Sequence, residues 1–244
     1  MTVFNFPIAV SLAIFATAMS TSATWAQAPC SSDGQHAPTA LIERFISADC
    51  DTCWRDPATA KPKSGELALD WIVPTAKGDD APLSAAATRD AQYRLDSLGQ
   101  AAPKTTFNLR RQAFTRPLPL RVARGVALGG YIGASIALTP ARGGNLPIQP
   151  MIAHLLLVEE IPAGTDGTPV ARNLVRNSLE VRWNEPGESV PQANARKRLY
   201  ESRPMSIPQG ANPDRLRVVG WVEDVNGLVI ASAASRKWCC VARR

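Results

Sequence analysis

The sequence predicts an α+β protein in which an N-terminal α/β half packs with a C-terminal antiparallel β domain of sandwich type. Two apolar runs joined by a short helical stretch indicate a βαβ unit in the first half. Six strand-like runs follow in series in the second half, separated by turn signals. Residues 27–103 carry seven Lys and Arg against eleven Asp and Glu, whereas residues 104–244 carry twenty against ten. These observations predict two parts, residues 39–114 and 115–244.

The first 26 residues have the features of a secretory signal peptide. They contain no charged side chain, and the apolar stretch from Ile8 to Met19 is too short to span a bilayer. Small residues follow, so we expect cleavage near Ala26. An uncleaved anchor is the alternative, because no Lys or Arg lies near Met1. No later segment is long and apolar enough to cross a membrane, which predicts a periplasmic or secreted mature chain without a transmembrane helix.

A Cys-x-x-Cys pair, Cys50 and Cys53, follows the first apolar run, which extends from Ala40 to Ile46. A strand, a turn, a dithiol and a helix in this order form the thioredoxin-type arrangement. The first sulfur then lies at a helix N-terminus, where free N–H groups favour a thiolate. Cys50 is therefore the candidate catalytic nucleophile and Cys53 the candidate resolving thiol, and an oxidising compartment predicts a disulfide between them. A static structural disulfide and a metal-binding dithiol are the alternatives.

Four residues near the dithiol in the sequence could influence its reactivity: Asp49, Asp51, Trp54 and Asp70. Asp49 and Asp51 flank the first cysteine, and their negative charge should raise the pKa of its thiol. Asp70, inside the second apolar run, is a candidate proton acceptor for Cys53, although a solvated strand-end carboxylate is the simpler interpretation. Trp54 could shield the disulfide, but packing is the preferred interpretation.

Hydrophobic periodicity and turn residues predict the remaining elements. The second strand runs from Glu66 to Val73, and a helix with one apolar stripe extends from Leu83 to Leu98. Asn226 and Gly227 form the strongest hairpin signal. The polar, proline-containing stretch from Pro191 to Asn212 predicts a long loop or a short helix. The predicted strands of the second half are Leu118–Val126, Gly130–Leu138, Ile152–Ile161, Ser178–Trp183, Leu216–Glu223 and Leu228–Ala234.

Two histidines and three further cysteines complete the candidate chemistry. His36 lies in an N-terminal arm and His154 in a strand, so a Ser-His-Asp triad is not expected, and His154 is interpreted as a strand-face residue. Domain termini often lie close together, so a bridge from Cys30 to Cys239 or Cys240 is one expectation, and unpaired terminal cysteines are the alternative. No cofactor is predicted.

Five segments of the chain together resemble one known family. They are Ile42–Ser47 with Cys50 and Cys53, Leu67–Trp71, Leu83–Tyr93, Asn173–Arg176, and Val219–Asp224 with Val229–Ala234. These segments are similar to the secreted thioredoxin-like family known as domain of unknown function 1223. The resemblance covers residues 39–237. It implies a signal peptide, a thioredoxin-like N-terminal half and a C-terminal β region.

The sequence departs from that family at two places near the dithiol. Trp54 stands where relatives have Pro after the second cysteine. Thioredoxin folds also place a cis-Pro beside the dithiol, as Thr-Pro in this family, whereas the corresponding Thr105-Thr106 here has no Pro. A cis bond without Pro costs about 3 kcal/mol, so a trans bond and slow disulfide exchange are expected.

Two hypotheses of function follow from the sequence. The first is thiol–disulfide exchange through Cys50 and Cys53 with exported protein thiols or disulfides as partners. The second is a non-catalytic envelope binding or structural protein in which the same cysteines form a structural disulfide. Nucleic acid is not an expected partner, because the arginine cluster between Arg110 and Arg124 is more typical of a solvated face.

Overall fold

The structure, a computed structural model, describes residues 30–113, 117–184 and 198–237. The predicted signal peptide, residues 1–26, lies outside the described residues, as do Cys239 and Cys240. Cys30 is buried and disulfide-bonded. In chain order the strands and α-helices of the described ranges are β1 Cys30–Ser31, β2 Ala40–Ser47, α1 Asp51–Trp54, β3 Glu66–Val73, α2 Arg89–Ser97, β4 Thr106–Gln112, β5 Leu120–Leu128, β6 Tyr131–Leu138, β7 Met151–Ile161, β8 Arg172–Trp183, β9 Leu199–Ser206, β10 Leu216–Glu223 and β11 Val229–Ala234.

The strands form two sheets of unequal size. The smaller sheet has the order β1-β5-β6-β9, and its neighbours are antiparallel. The larger sheet has the order β11-β10-β7-β8-β3-β2-β4. Within it, β2 lies between the parallel strand β3 and the antiparallel strand β4, and β3 pairs in parallel with β8. Strands from both predicted parts of the chain therefore belong to one sheet.

The described chain is mainly β, with two packed sheets and few helical residues, which confirms the sandwich-like β-rich architecture. A separate α/β thioredoxin-like half is not supported. Helix α1 has only four residues and α2 nine, and both cover a sheet that continues into the second part of the chain. The proposed boundary between residues 114 and 115 stays a prediction.

The large sheet is buried on both faces by different partners. Leu155 and Leu157 of β7 pack with Val122 of the small sheet, in the core between the two sheets. Leu156 points to the opposite face and packs in a second core, to which α2 contributes Leu95. Successive side chains of a strand alternate between faces, so the continuous apolar run of β7 serves both cores.

Gly220 of β10 lies where the two sheets approach each other closely. A Cβ atom at this position would lie 2.7 Å from Val122 Cγ1 and 2.9 Å from Ile136 Cδ1, both on the small sheet. Real Cβ contacts are longer, so a side chain here would force the sheets apart. The absence of a side chain therefore sets the spacing of the central core.

Several predicted elements are confirmed and others differ. The hairpin between β10 and β11 turns at Gly227, whose φ of +74° suits glycine. The stretch from Pro191 to Asn212 contains strand β9, which pairs with β6, so the loop-or-helix prediction is wrong there. The predicted N-terminal arm contains β1. The helix expected from Leu83 begins only at Arg89, because the backbone around Ala87 pairs with β3.

Candidate functional site

The Cys-x-x-Cys segment lies at the carboxyl end of β2. Ser47 ends the strand, and the Cys50 N–H donates to the Ser47 carbonyl over 2.9 Å. Cys50 caps helix α1, and its carbonyl accepts from the Cys53 N–H over 3.1 Å. The two cysteines form a disulfide with their Cα atoms 5.2 Å apart, which confirms the expected pairing. One helical turn is therefore enough to close this bridge.

The two cysteines differ in exposure. Cys50 is 8% exposed and Cys53 is half-buried. The prediction of Cys50 as nucleophile rested on its place at a helix N-terminus, whereas the structure makes Cys53 the more exposed residue. The catalytic roles of the two residues stay predictions.

The acidic residues beside the disulfide are paired with other groups. Asp49 accepts from the Thr75 hydroxyl over 3.0 Å and lies 3.5 Å from the Lys77 ammonium. Asp51 Oδ2 lies 2.9 Å from Arg55 Nε. Nearby cations offset part of the field of each carboxylate. The negative field of the flanking aspartates at the disulfide is therefore weaker than the sequence suggested.

Arg172 connects the disulfide segment to the sheet. Its Nη2 donates to the Cys53 carbonyl over 3.2 Å and to the Trp54 carbonyl over 2.8 Å. Its guanidinium also lies 5.0 Å from the centre of the Trp54 ring, and the indole N–H donates to the Asp166 carbonyl. Trp54 is 6% exposed, which confirms that it packs. These contacts fix the helix that carries the disulfide.

Asp70 is the counterion of this arrangement. It is fully buried, and its two oxygens accept from Arg44 Nη2 over 2.7 Å and from Arg172 Nη1 over 3.2 Å. The Asn173 N–H donates to the same carboxylate. Asp70 therefore reaches the disulfide segment through Arg172, which donates to both the Asp70 carboxylate and the Cys53 carbonyl. Because Asp70 is fully buried and its oxygens accept from Arg44, Arg172 and the Asn173 N–H, the geometry supports neither a proton-acceptor role nor a solvated strand end.

The sequence contained one signal for this cluster. Arg44 and Asp70 each lie inside a strand of mainly apolar side chains, and they face each other in the parallel register of β2 and β3. Two opposite charges inside neighbouring buried strands predict an ion pair. Arg172 gave no such signal, because β8 begins there and not at Ser178 as predicted.

A second buried ionic cluster lies below α2, and we call it the Glu223 cluster. Arg94 donates to the carboxylates of both Glu43 and Glu223, and Arg111 pairs with the same two carboxylates. The Trp221 indole N–H donates to Glu223 Oε1 over 2.6 Å, and both guanidinium groups lie over its ring. These five residues come from β2, α2, β4 and β10, so the cluster ties the helix to the sheet.

The cluster shifts the pKa values of its members. Burial raises the pKa of Glu223, but the neighbouring His154, Arg94 and Arg111 outweigh it, so the net shift is downward. Burial lowers the pKa of Arg94, but the carboxylates of Glu43 and Glu223 outweigh it and raise the pKa. The Arg94–Glu223 ion pair therefore remains charged over the ordinary pH range.

His154 lies at the edge of this cluster. Its ring stacks on Trp221 with 4.6 Å between ring centres, and its Nε2 lies 3.3 Å from Glu223 Oε1, outside hydrogen-bond geometry. It is 4% exposed, so it is a core residue on one face of β7. Burial lowers the pKa of His154; Glu223 opposes this shift and Arg94 adds to it.

His154 should make the stability of the fold depend on pH just below neutrality. Because its folded pKa lies below the ordinary value of 6.5, the unfolded chain binds the proton more readily. The free energy of unfolding should therefore fall as pH decreases from about 7 to about 5.5, by at most about 1.4 kcal/mol per pH unit. Urea denaturation across this range measures the slope. His154→Gln should flatten it and His36→Gln, at an exposed position, should not; equal slopes in all three proteins would contradict the assignment.

The predicted arginine cluster is not one solvated face. Arg124 is 2% exposed and Arg111 belongs to the Glu223 cluster, so the solvated-face interpretation is wrong for both. Arg110 and Arg121 each pair with a carboxylate. Arg116 lies outside the described residues. Most arginines of this segment are therefore buried or paired with carboxylates of the same chain.

The described part of the chain offers neither a metal-binding cluster nor a helix that could span a membrane. Residues 30–113, 117–184 and 198–237 contain no group of three or more His, Cys, Asp or Glu side chains arranged to hold a metal ion. Neither α1 nor α2, the α-helices of these ranges, is long and apolar enough to span a bilayer.

Comparison with known proteins gives two distant structural similarities. No family model matches the chain, and no curated protein matches it. The chain is similar to the solved structure of HBP35 of Porphyromonas gingivalis, at 11% identity and a TM-score of 0.46, over 86% of this chain and 80% of that one. It is also similar to a glycosyl hydrolase family 2 member from Bacteroides cellulosilyticus DSM 14838, at 12% identity and a TM-score of 0.29, over 55% of this chain and 16% of that one.

Proposed function

We propose that this chain is an exported thiol–disulfide exchange protein and a divergent relative of the domain-of-unknown-function 1223 family, with the Cys50–Cys53 disulfide as its working group. The observation that supports this most is the position of the disulfide, at the carboxyl end of β2 between a parallel and an antiparallel neighbour. In this proposal β2, α1 and β3 form a small thioredoxin-like unit, with fewer elements than a full thioredoxin fold, within the larger sheet. Its partners are thiols or disulfides of other exported proteins.

The exchange reaction needs no cofactor. A partner thiolate attacks one sulfur of the disulfide, forms a mixed disulfide and releases the other cysteine as a thiolate. A second partner thiolate then attacks the mixed disulfide, so the partner leaves oxidised and Cys50 and Cys53 remain as a dithiol. The greater exposure of Cys53 favours attack on its sulfur, with Cys50 as the leaving thiolate.

The reduction potential of Cys50–Cys53 tests the proposal. The protein is equilibrated in graded glutathione buffers, and free thiols are trapped and counted by mass spectrometry. We expect a potential above about −300 mV, since structural disulfides of secreted proteins lie below that value. A lower potential, with no exchange above that of free dithiol, would sink the proposal.

Single cysteine variants identify the attacked sulfur. Cys50→Ser retains the more exposed cysteine and should accumulate a stable mixed disulfide with a model disulfide substrate, because no resolving thiol remains. Cys53→Ser is the matched control and should form the adduct more slowly, since Cys50 is buried. The opposite order of rates would restore the sequence-based assignment of Cys50 as nucleophile.

A second candidate function is a non-catalytic binding or structural protein with a structural disulfide. Two observations favour it. Cys50 is buried, and the described residues, including Thr105 and Thr106, contain no cis peptide bond. The groove that a cis-Pro shapes beside a redox dithiol is therefore altered. A potential below about −300 mV is the result that this alternative requires.

A further inference from the structure

A cavity of about 470 Å³ lies beside the Asp70 cluster. Arg44, Arg172 and Asn173 form part of its wall, Lys61 and Lys237 carry its exposed ammonium groups, and most other lining residues are apolar, including three prolines. Pockets of 300–1,000 Å³ with apolar walls and a few polar groups are typical of small-molecule sites. The cavity has the volume and the surface of a ligand site.

The charges around this cavity do not balance. Arg44 and Arg172 share the single carboxylate of Asp70. Arg217 and Lys237 likewise share the single carboxylate of Glu160, at 3.3 Å and 2.9 Å.

Lys61 increases the excess of positive charge. It is exposed and has no carboxylate partner among the described residues. Asp56 is the other carboxylate whose field reaches Arg172, and it is exposed and does not line the cavity. Even when Asp56 is counted, five cations surround three anions.

Part of the excess positive charge lies on buried arginines, largely out of contact with water. Arg172 and Arg217 are almost fully buried, and burial lowers the pKa of each guanidinium despite its carboxylate partner. The Nε atom of Arg44 is buried and has no hydrogen-bond partner, and the Nε atom of Arg217 lies 3.3 Å from Glu160 Oε1, outside hydrogen-bond geometry. Buried cations without full compensation favour an additional anion nearby.

We propose that this cavity binds a small organic acid. Its carboxylate lies at the rim between Lys61 and Lys237, in the field of the buried arginines, and its apolar body packs against the proline-containing wall. The apolar wall distinguishes such a ligand from a simple inorganic anion, which would leave that surface in water. This site uses neither cysteine, so it is independent of the proposed exchange activity.

Calorimetric titration of the oxidised protein with 4-phenylbutyrate tests the site. The uncharged amide of the same acid and inorganic phosphate are the ligand controls, and each should bind at least about tenfold more weakly because it lacks the charge or the apolar body. Affinity for 4-phenylbutyrate should also fall as salt is raised. Equal affinity for the acid and either control, or no detectable binding of the acid, would overturn the proposal.

Variants locate the binding at this cavity. The double variant Lys61→Gln, Lys237→Gln should weaken 4-phenylbutyrate binding about fivefold, as expected for two exposed charge contacts. Lys104→Gln, at an exposed position outside the cavity, is the matched control and should leave the affinity unchanged. Ala163→Trp, at an exposed lining position, should fill part of the cavity without altering charge, and should therefore lower the affinity for 4-phenylbutyrate. Unchanged affinity in the double variant would place the acid elsewhere and refute the assignment.

Discussion

Replacing Asp70 by asparagine should lower the free energy of unfolding by about 3–5 kcal/mol, because removal of one partner leaves uncompensated buried charge. The asparagine side chain would keep the shape and an acceptor oxygen but lose the negative charge. Arg44 and Arg172 would then remain buried with their shared counterion removed. Arg172 would also lose the charged contact that orients it towards the carbonyls of Cys53 and Trp54.

Urea denaturation of the purified protein measures this loss, and Asp33→Asn is the matched control. Asp33 also pairs with an arginine, Arg121, but its side chain is 58% exposed. Exposed ion pairs contribute about 0–1 kcal/mol, so the control should change stability little. If the two substitutions have equal effects, burial of the Asp70 pair does not determine its energetic importance. Trapping of Cys50 and Cys53 in the Asp70→Asn variant would report whether the disulfide becomes easier to reduce.

Replacing Glu223 by glutamine should cost a similar amount, about 3–5 kcal/mol at pH 7. Arg94, Arg111, His154 and Trp221 all lie against this one carboxylate, and loss of its charge leaves Glu43 as the remaining anion of the cluster. The buried guanidinium of Arg94 and the half-buried guanidinium of Arg111 would then share one carboxylate. Helix α2 should loosen first, since Arg94 is its link to both glutamates, and amide hydrogen exchange would detect this.

The Glu223→Gln effect should depend on pH in a defined direction. The folded pKa of Glu223 lies below its ordinary value of 4.5, so its contribution is present above about pH 4.5 and is lost as pH falls towards the folded pKa. The difference in unfolding free energy between wild type and variant should therefore shrink below about pH 4.5. Glu201→Gln, which removes a carboxylate paired with an exposed arginine, is the control. A difference that stays constant with pH would contradict the ionised state of Glu223.

Local sequence signals predicted the buried central strands better than they predicted the edge strand β9. The apolar runs of β2, β3, β7 and β10 were recognised because each buries nearly every residue. Strand β9 was missed because it lies at the edge of the small sheet and buries only Met205. Its polar and proline residues face outward, so it has no apolar period that could indicate a strand.

The sequence by itself determined the main strands, the final hairpin and the dithiol after β2, because hydrophobic period, turn residues and cysteine spacing are local properties. Only the tertiary structure decided which charges meet. The pairs Arg44–Asp70, Arg172–Asp70 and Arg94–Glu223 span 26, 102 and 129 residues. Periodicity tells which face of a strand is buried, but strand register and sheet order decide what that face meets. The merged sheet and the cavity beside Asp70 follow from that order.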